Sequence, residues 1–239
     1  MGYRTTLTAL IACGFLALAA PVARADESAE TEVAAVPPRT AISVRTSVGI
    51  GWGTPNEHES RSSLSLSKLF LADYALRHGD GSAEDRMLGE QMIRYSDDGA
   101  ATVMEAKYPQ AIAAIAAEYG LAQTVPGPSW GAGATSTANV SDFLATKLRT
   151  DPGSPIFGWM AAAGSTARDG TEQNWGTARW PFVQGSKWGW SDFGEPEVAS
   201  TSYGPGFAVT AHTHGTAAEQ TADVMAALGA MLFGLPQHR

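Results

Sequence analysis

The sequence predicts an α+β fold, with one antiparallel sheet assembled from both ends of the chain and an all-helical lobe inserted between. Three observations carry the prediction. Residues with strand preference cluster at 41–52 and again at 185–212. The stretch between them, from residue 65 to residue 160, follows helical spacing. The chain then closes on one more segment with an apolar helical face. Strands, helices, strands and a last helix form an order that segregates the two element types.

Each element has a local reason. Residues 26–39 are acidic, carry Pro37-Pro38 near their end and read as a flexible tether. Ala41-Ile42-Ser43-Val44-Arg45 and Val48-Gly49-Ile50-Gly51-Trp52 read as one long strand or a strand pair. Residues 53–64 are a polar loop. The apolar run 69–76 reads as a buried helix that ends at His78, with Gly79 in the left-handed closing position. Ser82 and Asp85 make a capping-box-like start. Met87, Leu88, Gln91, Met92 and Tyr95 follow at helical spacing. Residues 95–99 are a turn, and residues 100–108 resume as helix. Pro109 opens another helix, with Ile112, Ile115, Ala116 and Tyr119 on one face and Gly120 closing it.

Residues 122–135 are rich in glycine and proline and read as a loop. Val140, Phe143, Leu144 and Leu148 are in phase on a helix over 137–148, and Ser154-Pro155 starts a short one. Strands are predicted at 186–190, 197–203 and 206–212, the last two joined by Gly204-Pro205-Gly206 as a hairpin. Residues 216–233 form the closing helix, with Val224, Met225, Leu228, Met231 and Leu232 apolar. The expected domain spans 40–235, with an α/β lobe of 40–81 and 166–235 and a helical lobe of 82–165.

Composition bounds the function. The chain has 239 residues, 44% hydrophobic and 17% charged, enough to bury a sizeable core. Its net charge of −8 and the absence of a basic patch exclude a nucleic-acid binder, since phosphate contacts need clustered Lys and Arg. Residues 1–25 read as a signal peptide. Arg4 precedes an apolar run over 7–20, and Ala23-Arg24-Ala25 fits a small-x-small cleavage site. Cleavage there removes two arginines and no acids, leaving −10. The run is short for a membrane span, so no transmembrane helix is expected in the mature chain. Cys13, the single cysteine, lies in Leu10-Ile11-Ala12-Cys13, which also resembles a lipoprotein box; simple secretion is favoured over that lipid anchor. The mature chain then has no cysteine, hence no disulfide and no thiol nucleophile.

The chemistry centres on Ser65-Leu66-Ser67-Lys68. Residues three apart on a helix share a face, about 5–6 Å between Cβ atoms, so the Lys68 amine reaches the Ser65 hydroxyl. Serine becomes nucleophilic when a neighbouring base takes its proton, and a desolvated lysine can be that base. Elsewhere, His212 and His214 share a strand face but have no evident third ligand, so no metal is expected. Trp175, Trp180, Trp188 and Trp190 cluster in sequence and read as packing of a sheet edge or as a stacking platform at a cleft mouth.

With those residues in view, the chain resembles the serine β-lactamase and penicillin-binding protein superfamily, closest in layout to class A β-lactamases. That superfamily carries S-x-x-K, S-D-N and K-T-G in this order. Ser65-Leu66-Ser67-Lys68 matches the first box, Ser96-Asp97-Asp98 approximates the second, and Lys187-Trp188-Gly189 approximates the third. The resemblance spans about residues 40–235 and implies roles. Ser65 attacks an acyl carbonyl and Lys68 accepts its proton. Ser96 passes a proton to the leaving nitrogen. Lys187 attracts a substrate carboxylate and helps hold Lys68 neutral. The N–H groups of Ser65 and Trp190 form the oxyanion hole. Asp98, Trp188, Gly189 and Trp190 contact substrate.

Three departures weigh against fast β-lactam turnover. Asp98 stands where the family has an amide, and an ionised carboxylate only accepts hydrogen bonds. Trp188 replaces a small hydroxyl residue and is expected to fill the pocket. No Glu-x-x-Leu-Asn-like loop occurs between 99 and 165, and Glu105 and Glu118 read as solvated faces. The resemblance therefore implies an exported, cofactor-free, monomeric bacterial envelope protein. Its expected partner is a peptidoglycan-derived peptide or a β-lactam-like molecule, and its expected chemistry is acyl-serine chemistry with weak or no β-lactamase turnover. The alternative is an impaired relative that binds cell-wall peptide or glycan in the same cleft.

Overall fold

A computed structural model describes residues 36–232. The expected signal peptide, the Cys13 motif, most of the tether and the end of the last helix at Phe233 lie outside the described residues. Residues 36–39 are held to the fold. Thr40 N–H donates to Pro37 O, and Arg39 makes a two-pronged bond to Asp223 at 3.0 Å each.

Strands β1 (Thr40–Thr46) and β2 (Gly51–Gly53) form a hairpin, so the first β region is a pair. Strands β5 (Gly185–Trp190), β6 (Glu197–Gly204) and β7 (Phe207–His214) complete a five-stranded antiparallel sheet in the order β2-β1-β7-β6-β5. Strand β1 pairs along its whole length with β7, so the two ends of the described chain meet in the sheet. Two short strands, β3 (Arg61–Ser62) and β4 (Ala134–Thr135), pair apart from it; at two residues each they left no periodic signal.

Side-chain alternation gives the sheet two distinct faces. Ile42, Val44, Val209 and Ala211 pack with Val224 and Ala227 of the closing helix α7 (Ala217–Leu232). Met225, expected on that apolar face, is exposed; Ala227 is buried instead. The other sheet face meets α5 (Thr137–Thr150), whose Ser141 hydroxyl bonds Ser43 O and Thr210 Oγ1 at 2.9 Å each.

Helix α1 (Ser67–His78) lies in the helical core, buried on nearly every side. Its Phe70 meets Phe143 edge-on at 5.2 Å. Around it stand α2 (Ala83–Arg94), α3 (Asp98–Lys107), α4 (Ala111–Tyr119) and α6 (Pro155–Ala161). The Ser82 cap forms, accepting from Asp85 N–H at 3.2 Å. Leu88 and Met92 face inward, but Met87 and Tyr95 are exposed. Gly120 closes α4 in the left-handed conformation, as expected. Gly79 does not close α1 that way: its backbone is extended, and glycine is needed there because a Cβ would lie 2.3 Å from Ala75 O. Burying so much of α1 requires partners for its charges, and Asp73 finds Lys147 at 2.6 Å and Arg77 at 3.0 Å.

Candidate active site

Ser65 sits in a short 3-10 turn (Leu64–Leu66) that feeds α1, one step before the α-helix proper. The tighter winding still brings residues 65 and 68 together. Lys68 Nζ donates to Ser65 Oγ at 3.0 Å, to Ser96 O at 2.7 Å, to Ser96 Oγ at 3.3 Å and to Asp98 Oδ1 at 2.5 Å. Ser96 lies in the turn between α2 and α3, in the left-handed region with φ 52°. Leu64, next to Ser65, has φ 49°. Non-glycine residues rarely adopt this conformation, and it costs about 1–3 kcal/mol where the surroundings enforce it.

The third box arrives on β5. Lys187 Nζ donates to Ser96 Oγ at 2.7 Å and to Trp188 O at 2.7 Å, so the Ser96 hydroxyl lies between the two lysines. Gly189 faces Ser65: a Cβ there would lie 2.8 Å from Ser65 N and 2.9 Å from Leu64 Cβ. The ladder register orients Trp190. Ser191 N–H donates to Glu197 O, and Trp190 stands opposite Val198 in the same register. Bonded and non-bonded pairs alternate in an antiparallel ladder, so the Trp190 N–H points to the free edge of β5. Sequence spacing therefore brings Ser65, Lys68, Ser96, Asp98, Lys187, Gly189 and Trp190 to one place.

Trp188 goes elsewhere. Alternation along β5 turns it to the sheet face opposite Lys187, where it is buried against Trp175 and Val198. Its indole N–H donates to Trp175 O at 2.9 Å. Its indole does not line the cavity beside Ser65. Trp180 joins the α7 core rather than the expected cluster.

Ser65 opens on a cavity of about 490 Å³, whose lining includes Leu64, Asp98, Trp130, Trp190, Asp192 and Phe193. Lys187 and Ser96 lie buried beneath it. Trp130 comes from the 122–135 loop, and Lys68 Nζ stands 4.3 Å from its ring centroid. Asp169, from the loop between α6 and β5, accepts the Trp190 indole N–H at 3.1 Å. Nothing in the sequence singled out Trp130 or Asp169, because loop residues carry no periodicity and are placed by tertiary packing. A larger hollow of about 600 Å³, between the β1–β2 hairpin and α5, has Arg45, Asp142 and Arg149 in its lining. Two of these already pair, Arg45 with Asp142 at 2.9 Å.

Burial sets the electrostatics. Desolvation pushes the Lys68 pKa below its ordinary value, against the hydrogen bond and charge of Asp98. Lys187 is wholly buried and driven well below its ordinary value by desolvation first and the Lys68 charge second. Between that lowered pKa and 10.5 the unfolded chain binds more protons than the folded one, so Lys187 makes stability rise with pH across that window. Lys187→Met is expected to flatten the rise by up to about 1.4 kcal/mol per pH unit, checked by urea unfolding at several pH values.

His212 is buried beside Glu197, with Nε2 3.3 Å from Oε1; burial pushes its pKa down to about 3, so it is neutral. His214 Nδ1 lies 3.7 Å from the same oxygen. No group of three or more His, Cys, Asp or Glu among the described residues has the geometry to hold a metal ion. Glu118 is exposed, as expected, and pairs on the surface with Arg77 and with His78. No helix among the described residues is long and apolar enough to cross a membrane.

No family model matches the sequence, and no curated protein matches it significantly. Solved structures match the fold. Penicillin-binding protein D2 from Listeria monocytogenes, in a cefotaxime-bound form, is 17% identical with a TM-score of 0.60, covering 80% of this chain and 96% of that one. A variant of the last common ancestor of Gram-negative class A β-lactamases is 18% identical with a TM-score of 0.61, covering 81% and 93%. The Streptomyces K15 DD-transpeptidase is 13% identical with a TM-score of 0.60, covering 81% and 96%. At these identities the likeness establishes the fold: α+β, of the serine β-lactamase and penicillin-binding protein type.

Proposed function

We propose that the chain is an exported serine acyl-transfer enzyme of the bacterial envelope, acting on an ester or amide. The observation that carries this reading is the Ser65 hydroxyl 3.0 Å from a buried lysine at the wall of an acyl-sized cavity. Ser65 Oγ attacks the carbonyl carbon while its proton passes to neutral Lys68. The oxyanion develops beside the Ser65 and Trp190 N–H groups. Collapse of the tetrahedral intermediate breaks the bond to the leaving nitrogen or oxygen, which takes a proton through Ser96. Water then attacks the acyl-serine ester, releasing the acid and restoring the Ser65 hydroxyl. Export rests on the N-terminal sequence, with cleavage before Asp26.

The tests are direct. A fluorescent penicillin or fluorophosphonate is expected to add one label to the protein, located at Ser65 by mass spectrometry, and none to Ser65→Ala. Folded wild-type protein that neither probe labels would overturn the reading in favour of the binding alternative.

Asp98 sets the rate. Its carboxylate holds the Lys68 ammonium and so opposes formation of the base. Asp98→Asn keeps the shape, removes the charge and lowers the Lys68 pKa further. The labelling rate is expected to rise on the acid limb of its pH profile, and that limb to move to lower pH. Rates measured from pH 6 to 9 check it.

A further inference from the structure

We infer that the cleft selects an acyl substrate carrying a positive charge, a quaternary ammonium or an amine; this rests on the acyl-transfer reading above. Among the described residues, no lysine, arginine or histidine lines the cavity, whereas Asp98 and Asp192 do; Asp98 is already paired with Lys68 at 2.5 Å, which leaves Asp192 to face a substrate. Asp169 adds a third carboxylate behind Trp190. The nearest cation, Lys68, is taken up by Asp98 at 2.5 Å. Lys187 has no exposed surface and gives its protons to Ser96 Oγ and Trp188 O. Arg168, in the segment between α6 and β5, lies 3.7 Å from Asp97 on the surface and does not line the cavity. A substrate carboxylate would thus meet like charge at Asp192 and, among the described residues, no cationic side chain in the cavity lining. Trp188 supplies no hydroxyl to receive it, because β5 turns that residue to the other face.

The aromatic walls complement that charge. Trp130 already receives an ammonium on its ring face, that of Lys68. Phe193 lines the same cavity and is 91% exposed, a phenyl ring left in water at the lip. Aromatic faces beside carboxylates recognise ammonium groups, quaternary ones above all, because the ring quadrupole attracts the cation and the methyl groups lose little hydration. The volume of about 490 Å³ leaves room for such a group beside the reacting carbonyl.

Three nitrophenyl esters with acyl chains of equal length test this, ending in trimethylammonium, its neutral tert-butyl isostere, or carboxylate. kcat/KM is expected to be about tenfold higher for the cation than for the isostere, and lowest for the carboxylate. Added salt should shrink the gap. Asp192→Asn with Phe193→Ala should bring the cation-to-isostere ratio close to one. Equal rates for the three esters, or a preference for the carboxylate, would overturn the inference. If no ester acylates Ser65, acyl transfer itself fails, and calorimetry on Ser65→Ala decides the ammonium site separately. Choline binding more tightly than 3,3-dimethylbutanol supports it; equal binding of the two overturns it.

Discussion

Lys68→Met is expected to slow labelling of Ser65 by a factor of about 10²–10⁴, the range over which a positioned base contributes. The substitution shortens the unbranched side chain by one atom and removes the amine 3.0 Å from Ser65 Oγ. Lys68→Arg makes the comparison decisive. Arginine preserves the positive charge facing Asp98 but does not lose its proton in a protein. If Lys68 acts by taking the proton, both variants are slow. If it served only to neutralise Asp98, the arginine variant would retain most of the rate. Stopped-flow fluorescence with a labelled, uncharged fluorophosphonate measures both. The wild-type rate is also expected to climb with pH through a Lys68 pKa lying below 10.5.

Gly189→Ala should be nearly as damaging, though it adds only a methyl group. That methyl would lie 2.8 Å from Ser65 N, a backbone atom that cannot rotate away. Either β5 withdraws, taking the Trp190 N–H with it, or the 3-10 turn shifts and re-aims Ser65. Loss of one oxyanion donor typically lowers the rate by about 10²–10³. Overpacking adds a stability cost of about 1–3 kcal/mol. Gly153→Ala, whose added methyl meets open space, is the matched control and should leave both labelling rate and melting temperature unchanged.

The parts of the site that could be read from the sequence were those governed by local geometry. Ser65 and Lys68 are three apart, and any helical winding brings them together. Ser96 falls in a turn announced by its neighbours, and Lys187 and Gly189 follow strand alternation. Trp188 was misread for a related reason: analogy placed it at the substrate, whereas period two along β5 sends it to the face opposite Lys187. Met225 shows the limit of an apolar pattern, which marks a face without saying how much of it the sheet covers. Trp130, Asp169 and Phe193 belong to loops. Their positions depend on how distant segments pack, and no spacing rule encodes that. The Asp98–Lys68 ion pair was equally hidden, since the sequence showed a carboxylate in place of an amide without showing which cation it would meet.

The pairing of β1 with β7 has a consequence for when activity can begin. Residues 40–46 find their partners only at 207–214, and β5, which carries Lys187, joins the sheet through β6. A ribosome delivers those partners last, so a nascent chain holds Ser65 long before it holds a reactive centre. Contacts this far apart in sequence also make folding slow, so the centre stays chemically silent until the whole sheet has closed.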